Sequence, residues 1–372
     1  MDPRYYLSET IKVPGASLEL YRYYSDLPKE GDRPVALLCS GFGNNVSVYS
    51  LLGEESIPSY LYNAGYDVYL FDLRGHGKSK LDENTVAWDL STYIFVDTLS
   101  IIQHILLQTK ANQIHFIGHS MGGMIGLALA SCKSTAKLLK SVTALGSSIY
   151  LAHTIWKYLI YFTPLYPLAK VQGNIDVGWH AWMASNVLQF TSCLQIPSCG
   201  FDIVASSSNA DNRLTHKMMN ESFCKEGIGV IDEMKEGISG YGLRIKYPAS
   251  VTNTEIEDDY VYIDVNDEEI HGNSLITTEY LIESTIGVHT TSIGLLYGYD
   301  DPQILEEDVI KLANKINDNR SISTSSSQKQ CFIKGFGTKY NDPPYSHYDM
   351  LIGNDAPTKV FPVLLHFLQS SA

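Results

Sequence analysis

Apolar residues in the first 148 positions form short runs that alternate between two periodicities. Some runs are continuous and rich in β-branched residues, as in buried strands, and others have apolar residues at helical spacing. The predicted strands are 18–24, 35–39, 67–71, 114–117 and 141–145, and the predicted helices are 57–63 and 91–107. Strands that alternate with helices in this order predict a mostly parallel, doubly wound sheet with helices on both faces.

The same alternation returns near the carboxyl end. Strands are predicted at 291–297 and 331–336 and helices at 306–316 and 357–368, with Asp355 as the N-cap of the last helix. Between 149 and 289 the alternation is lost, and the segment opens with an aromatic-rich stretch from Tyr150 to Phe162. We therefore predict an α/β core of residues 1–148 and 290–372 with an inserted cap, or lid, of residues 149–289. The aromatic stretch fits either the cap's own core or the wall of an apolar ligand pocket.

Gly118-His119-Ser120-Met121-Gly122 lies between a predicted strand and a predicted helix. A serine on so sharp a turn has a strained backbone, and small neighbours allow the turn to close. The motif predicts a nucleophile elbow, in which Ser120 attacks and the Met121 amide, at the head of the helix, donates to an oxyanion. The alternative is an ordinary strand-to-helix turn, because the pentapeptide also occurs by chance.

A serine nucleophile needs a base and a group that orients the base. His347 follows the last predicted strand and precedes the final helix, at the same sheet edge as Ser120. The acid is expected in the loop after the preceding strand, where Asp301 is the first choice and Asp300 the alternative. His119 adjoins the serine and is expected to point away from it. The chain order Ser, Asp, His is the one that the α/β-hydrolase arrangement requires.

A second oxyanion donor is expected in the loop 40–45, after the strand 35–39. Gly41 and Gly43 let the backbone approach a reacting carbonyl, and the amide of Phe42 is the predicted donor. The loop lacks the lysine and the Ser/Thr of a phosphate-binding loop. The turn 72–79, which includes Asp72 and Arg74, is predicted to be a structural turn braced by those two side chains.

These motifs together resemble the α/β-hydrolase superfamily over about residues 34–148 and 290–370. Residues 71–79 and 118–123 look like the corresponding stretches of monoacylglycerol lipases and lysophospholipases, and residues 347–353 are similar to the histidine loop of acid lipases. One departure is Ser40-Gly41, where these lipases usually carry His-Gly. The serine at 120 stands where dehalogenases and epoxide hydrolases of the superfamily place an aspartate.

The resemblance implies a serine hydrolase of carboxylic esters, acting on a small-molecule ester or acyl lipid through Ser120, Asp301 and His347, with Phe42 and Met121 as the oxyanion hole. It implies neither a metal nor an organic cofactor. Two alternatives stay open: a thioesterase or acyltransferase that uses the same triad, and a ligand-binding protein without catalysis.

Composition and charge narrow the partners. Hydrophobic residues make up 44% and charged residues 18%, so disorder is excluded for most of the chain. A net charge of -14 disfavours nucleic acid and anionic membrane surfaces as partners. We see no signal-peptide pattern and no run of about 18 uncharged apolar residues, so a cytoplasmic location without an integral membrane segment is expected. The oligomeric state is left open.

Cysteines and acidic residues add little. The six cysteines have no zinc-site spacing, although Cys193, Cys199 and Cys224 lie close enough in sequence for a disulfide. Eight acids within 255–269 lack the glycine of an EF-hand loop and are predicted to form a solvated face.

Overall fold

The computed structural model describes residues 6–24, 33–83, 85, 87–162, 165–193, 204–240, 242–247, 278–322, 330–337 and 342–371. The strands in this part of the chain are β1 Tyr6–Val13, β2 Ala16–Tyr23, β3 Val35–Cys39, β4 Asp67–Phe71, β5 Lys80–Leu81, β6 Ile114–His119, β7 Leu139–Leu145, β8 Asn174–Asp176, β9 Lys225–Gly227, β10 Arg244–Tyr247, β11 Thr278–Leu281, β12 Ser292–Gly298 and β13 Phe332–Phe336.

The described helices follow the same chain order. They are α1 Ile57–Asn63, α2 Leu90–Thr109, α3 Met121–Ser131, α4 Lys133–Ala136, α5 Ile155–Phe162, α6 Leu165–Gln172, α7 Val177–Cys193, α8 Asn212–Glu221, α9 Ile228–Ile238, α10 Ile282–Thr285, α11 Glu306–Ile322, α12 Asp349–Ile352 and α13 Ala356–Ser370. Two short 3₁₀ turns, Val46–Ser50 and Gly53–Glu55, precede α1. In α2 the middle turn, Tyr93–Thr98, is a π-helix.

One nine-stranded sheet forms the centre of the fold, with strand order β1-β2-β4-β3-β6-β7-β12-β13 and β5 paired to β2. Neighbours from β4 to β13 are parallel, whereas β2 pairs antiparallel with β1, β4 and β5. The strands predicted from the sequence are all present. The hairpin strand β1 was not predicted, because its residues between Tyr6 and Val13 are mostly exposed and give no apolar signal.

Two apolar layers cover the faces of this sheet. One contains side chains of α2, α3 and α11, such as Ile101, Leu127 and Leu312, and the other contains side chains of α1 and α13, such as Leu61 and Phe361. Helices therefore lie on both faces, as the alternating pattern predicted, and the fold is that of an α/β hydrolase. The carboxyl ends of the parallel strands meet at one edge, where ligands bind in such sheets.

Helix α2, with 20 residues, is long and apolar enough to cross a membrane, but 72% of its most apolar stretch is buried in the protein. Asp97 lies inside it, and its carboxylate is 2.6 Å from the Arg74 guanidinium. Burial among other elements makes α2 a core helix of this fold.

The turn after β4 is braced by the two side chains named in the sequence analysis. The Asp72 carboxylate accepts hydrogen bonds from the Val46 and Lys78 amides at 2.9 and 3.0 Å. Arg74 is 1% exposed at its side chain and binds Asp97 through Nε and Nη2. Both residues serve the architecture of the turn.

Between 149 and 289 the described residues form α5 to α10 and the two-stranded pairs β8-β9 and β10-β11, apart from the central sheet. The division into core and inserted cap stays a prediction. The predicted acidic face at 255–269 and the side chain of Phe162 lie outside the described residues.

The structure bears on the disulfide alternative at Cys224 and on the predicted cap of the last helix. Cys224 is a free thiol whose Sγ accepts hydrogen bonds from the Gly77 amide and the Asn45 side chain, so it is in no disulfide; the side chains of Cys193 and Cys199 lie outside the described residues. Asp355 stands at the N-cap position of α13, yet its side chain makes no capping hydrogen bond, since its backbone is helical.

Candidate active site

Ser120 stands at the turn between β6 and α3 with φ 53° and ψ -123°, a strained combination for a residue with a Cβ. The flanking glycines explain how the turn closes. A Cβ on Gly118 would lie 2.2 Å from the Gly122 carbonyl, and one on Gly122 would lie 2.2 Å from the Cys39 oxygen. Only glycine fits at either position, so the motif specifies an elbow that directs the serine away from the strand.

His347 and Asp301 form a buried hydrogen bond at the same sheet edge. Nδ1 of His347 is 2.8 Å from Oδ2 of Asp301, and both side chains are at most 1% exposed. The other carboxylate oxygen of Asp301 accepts the amides of Gln303 and Ile304 at 2.8 and 3.1 Å. Asp300, the alternative acid, is exposed. Of the two candidates, the fold brings Asp301 to the histidine.

Ser120 lies beside this pair. The Ser120 amide binds the Leu145 carbonyl at 2.9 Å, and a Cβ on the next residue, Gly146, would lie 3.4 Å from Asp301 Oδ2 and 3.5 Å from His347 Nδ1. The second ring nitrogen of His347, Nε2, is buried and has no hydrogen-bond partner among the described residues. Hydrogen bonds between a catalytic base and its nucleophile are often loose in the absence of substrate.

His119 points away from the serine, toward the back of His347. Its Nε2 donates to the His347 carbonyl oxygen at 2.9 Å, and the two rings pack at an angle of 54° with centroids 4.7 Å apart. Burial, and to a lesser degree the His347 ring, hold the pKa of His119 well below its ordinary value. A neutral His119 therefore supports the loop that carries His347 without adding a second positive charge beside it.

The loop 40–45 closes over the serine. A Cβ on Gly41 would lie 2.9 Å from the Ser120 Cβ, so the loop backbone is in contact with the nucleophile. The Asn44 amide donates to the Gly41 carbonyl at 3.0 Å, which makes Phe42 and Gly43 the central residues of a β-turn. On the other side of Ser120 in the chain, Met121 is the first residue of α3, and the first amides of a helix have no intrahelical acceptor. The two predicted oxyanion donors thus flank Ser120.

The side chain of Phe42 lines an apolar cavity of about 200 Å³. Its ring packs edge-on against Trp156, with centroids 5.2 Å apart. The remaining lining is mostly aliphatic or aromatic and comes from residues 160–234: Ile160, Tyr166, Ile175, Val177, His180, Ile231 and Met234. A cavity of this lining is suited to a hydrocarbon chain.

Sequence reasoning missed a buried polar cluster behind the loop 40–45. Glu226, in β9, accepts hydrogen bonds from the Gly43 amide and the Tyr93 hydroxyl and lies 3.3 Å from His76 Nε2. No local motif marks these residues, because they meet only through the packing of distant segments.

Comparison with known proteins identifies the family of this fold. A family model described as the alpha/beta hydrolase fold matches residues 34–247, more than half of the chain. Among curated proteins, the chain is similar to Lipase 3 of Drosophila melanogaster, with 29% identity over 188 residues, covering 46% of this chain and 46% of that protein. It is also similar to human gastric triacylglycerol lipase, with 32% identity over 124 residues, or 31% of each chain. The chain thus matches less than half the length of these relatives.

Solved structures share the architecture over nearly the whole chain. A soluble variant of monoglyceride lipase from Saccharomyces cerevisiae superimposes with a TM-score of 0.60 at 14% identity, covering 99% of this chain and 95% of that one. The enol-lactonase from Burkholderia xenovorans LB400 gives 0.54 at 15% identity, covering 97% and 100%. At these identities the similarity establishes the fold alone.

Proposed function

Because the chain belongs to the α/β-hydrolase fold family, we propose that it is a carboxylic ester hydrolase whose catalytic triad is Ser120, His347 and Asp301. The observation that carries the proposal is the buried 2.8 Å hydrogen bond between His347 and Asp301 beside the strained serine. Curated relatives named as lipases support the same reaction class.

In the proposed reaction, Nε2 of His347 accepts the Ser120 hydroxyl proton as Oγ attacks the ester carbonyl. Asp301 orients the imidazole through Nδ1 and stabilises the imidazolium that forms. The amides of Phe42 and Met121 stabilise the oxyanion, and His347 returns its proton to the leaving alcohol. Water, activated by the same histidine, then releases the carboxylic acid from the acyl-enzyme.

We propose a lipophilic acyl group as the substrate's distinguishing part. Phe42, whose amide is a proposed oxyanion donor, also lines the apolar cavity, so an acyl chain attached to the reacting carbonyl would extend into it. Its lining offers little to charged groups, which favours a hydrocarbon chain over a polar acid. Hydrolysis of lipid or simple esters of fatty acids is the activity that this arrangement fits best.

The test is hydrolysis of p-nitrophenyl esters of increasing acyl length by the wild-type protein and by Ser120→Ala. We expect turnover by the wild type and a loss of at least about a thousandfold in the variant, because the triad acts as a unit. Analysis of the product would show free acid. Wild-type protein that hydrolyses none of these esters, or a variant that keeps its turnover, would refute the proposed function.

A further inference from the structure

The turn that carries Phe42 is hydrogen-bonded to residues 222–227, a segment of the predicted cap. The Gly43 amide donates to Glu226 Oε2 at 3.0 Å, and the Gly43 carbonyl accepts the Cys224 amide at 2.6 Å. Two residues further on, the Asn45 amide donates to the Ser222 carbonyl at 2.8 Å. The backbone at the end of the turn is therefore hydrogen-bonded, at Gly43 and at Asn45, to a segment about 180 residues away.

The conformation of Gly43 gives the Glu226 contact a specific meaning. Gly43 has φ +60°, and Phe42 is not among the described non-glycine residues with positive φ. With the Gly41–Asn44 hydrogen bond, this describes a type II turn, whose central peptide is flipped relative to type I. The flipped peptide presents its N–H to Glu226, so the carboxylate favours one of two orientations. A Cβ at Gly43 would also lie 3.0 Å from Val177.

Glu226 is surrounded by donors. Oε2 accepts from the Gly43 amide and faces His76 Nε2, and Oε1 accepts the Tyr93 hydroxyl at 2.7 Å and the Gly227 amide at 2.9 Å. The Tyr93 hydroxyl in turn accepts the indole N–H of Trp88 at 2.7 Å, so its own proton is directed to Glu226. A carboxylate can accept all four, whereas an amide would turn an NH₂ group toward two donors.

The pKa shifts of Glu226 and His76 both favour an ionised pair in this fully buried position. Burial by itself acts to raise the pKa of Glu226, but the His76 imidazolium and the hydrogen bonds from Tyr93 and Gly43 outweigh it, and the pKa is lowered. Burial likewise acts to lower the pKa of His76, and Glu226 raises it. A charged acceptor makes a stronger hydrogen bond to the Gly43 amide than a neutral one would.

We propose that Glu226 is a positioning residue for the oxyanion hole: by holding the Gly43 amide it fixes the turn that presents the Phe42 amide to the reacting carbonyl. This inference rests on the proposed ester hydrolysis. It assigns to the predicted cap a part in catalysis beyond covering the acyl cavity, because the residue that fixes the turn comes from that segment and not from the sheet.

The test compares Glu226→Gln with a matched control, Glu233→Gln. Glu233 is also buried and also joins the predicted cap to the core, through the Ser91 amide and hydroxyl at 2.8 and 2.9 Å, but neither contact is in the loop 40–45. We expect Glu226→Gln to lower kcat on a p-nitrophenyl ester by roughly 10- to 100-fold with little change in KM, as for a small misplacement of a catalytic group. The control is expected to keep wild-type kcat.

Two further measurements separate positioning from general loosening. Affinity for a trifluoromethyl ketone, which forms a tetrahedral oxyanion on the serine, should fall in Glu226→Gln by the same factor as kcat, while binding of a non-hydrolysable ether analogue stays unchanged. Deuterium exchange of the peptide that covers residues 41–45 should be faster in Glu226→Gln and unchanged in Glu233→Gln. If Glu226→Gln does not fold, Glu226→Asp keeps the charge beside His76, is too short to keep the Gly43 contact, and is assayed in the same way.

The inference would be overturned if Glu226→Gln kept the kcat, the ketone affinity and the exchange rate of the wild type. It would also be overturned if the Glu233→Gln control lost as much kcat as Glu226→Gln. If the wild-type protein hydrolyses no ester, the proposed function fails, but the exchange comparison still decides whether Glu226 fixes the turn. The two failures are therefore distinguishable.

Discussion

Replacing Asp301 by asparagine should stop catalysis by reversing one hydrogen bond while leaving the fold in place. The carboxylate makes two kinds of contact: Oδ1 accepts the amides of Gln303 and Ile304, and Oδ2 accepts the His347 ring. An asparagine side chain has one acceptor oxygen. Because two backbone N–H groups converge on the Oδ1 position, the introduced oxygen will occupy it, and the introduced NH₂ group will face His347 Nδ1.

An NH₂ group opposite Nδ1 makes that nitrogen an acceptor, which moves the ring proton to Nε2. With Nε2 protonated, His347 has no lone pair for the Ser120 proton. The wrong tautomer lowers kcat by about 10⁴-fold in the well-studied serine proteases, or roughly 5.4 kcal/mol at 1.36 kcal/mol per factor of ten. The same magnitude is expected here, because the two amide contacts on Oδ1 leave the side chain little freedom to turn over.

The assay is hydrolysis of a p-nitrophenyl ester by Asp301→Asn beside the matched variant Asp300→Asn. Asp300 is exposed, so its variant should keep nearly full activity. Circular dichroism and thermal unfolding would check that both variants fold. An Asp301→Asn protein within tenfold of wild type, or equal losses in the two variants, would show that the tautomer argument is wrong.

Three other outcomes follow from the geometry. If the cavity binds the acyl chain, kcat/KM should rise about fourfold per methylene, the equivalent of roughly 0.8 kcal/mol, until the cavity is full. Trp156→Ala should shift the optimum acyl length. Trp182→Ala should leave it unchanged, because Trp182 is half exposed and does not line the cavity. Arg74→Met should lower the free energy of unfolding in urea by about 3–5 kcal/mol, because it leaves Asp97 buried and unpaired. Arg22→Met should lower it by less, because the Arg22 side chain is about half exposed, although its partner Asp67 is buried. The pKa of Glu226 is lowered from 4.5, so its contribution to stability is lost as pH falls, and the pKa of His76 is raised from 6.5, so its contribution is lost as pH rises. The difference in unfolding free energy between wild type and Glu226→Gln should therefore be largest between pH 4.5 and 6.5. A difference independent of pH would contradict the ionised pair.

The central sheet was predictable because its signals are local. Strands such as Val35–Cys39 are buried on both faces and form continuous apolar runs in the sequence. The elbow depends on glycines because a Cβ at those positions would clash with residues a few positions away or on the adjacent strand. Tyr6–Val13 escaped prediction for the opposite reason, since an exposed edge strand carries no apolar pattern.

In the candidate site, too, residues with a local sequence signal were predictable and the others were not. Chain order and loop position were enough to propose Ser120 and His347, but the sequence left two adjacent aspartates open. In the structure Asp301 is buried against His347 and Asp300 faces solvent, a difference set by the path of the loop after β12. Glu226 had no sequence signal at all, because its partners come from residues 43, 76, 93 and 227, and only the folded chain brings four donors to one carboxylate.

Phe42 links the two halves of the proposed mechanism. Its ring forms part of the acyl cavity and packs on Trp156, while its amide is a proposed oxyanion donor in the turn that Glu226 holds through Gly43. An acyl chain that presses on the ring therefore acts on the same short turn that stabilises the transition state. It follows that chain-length preference should appear in kcat as well as in KM, since binding energy gained in the cavity can hold the Phe42 amide in its productive position. A cavity that affected only KM would mean that the Phe42 ring and amide respond independently. Hydrogen bonds from Gly43 and Asn45 to residues 222–226 do not favour that independence.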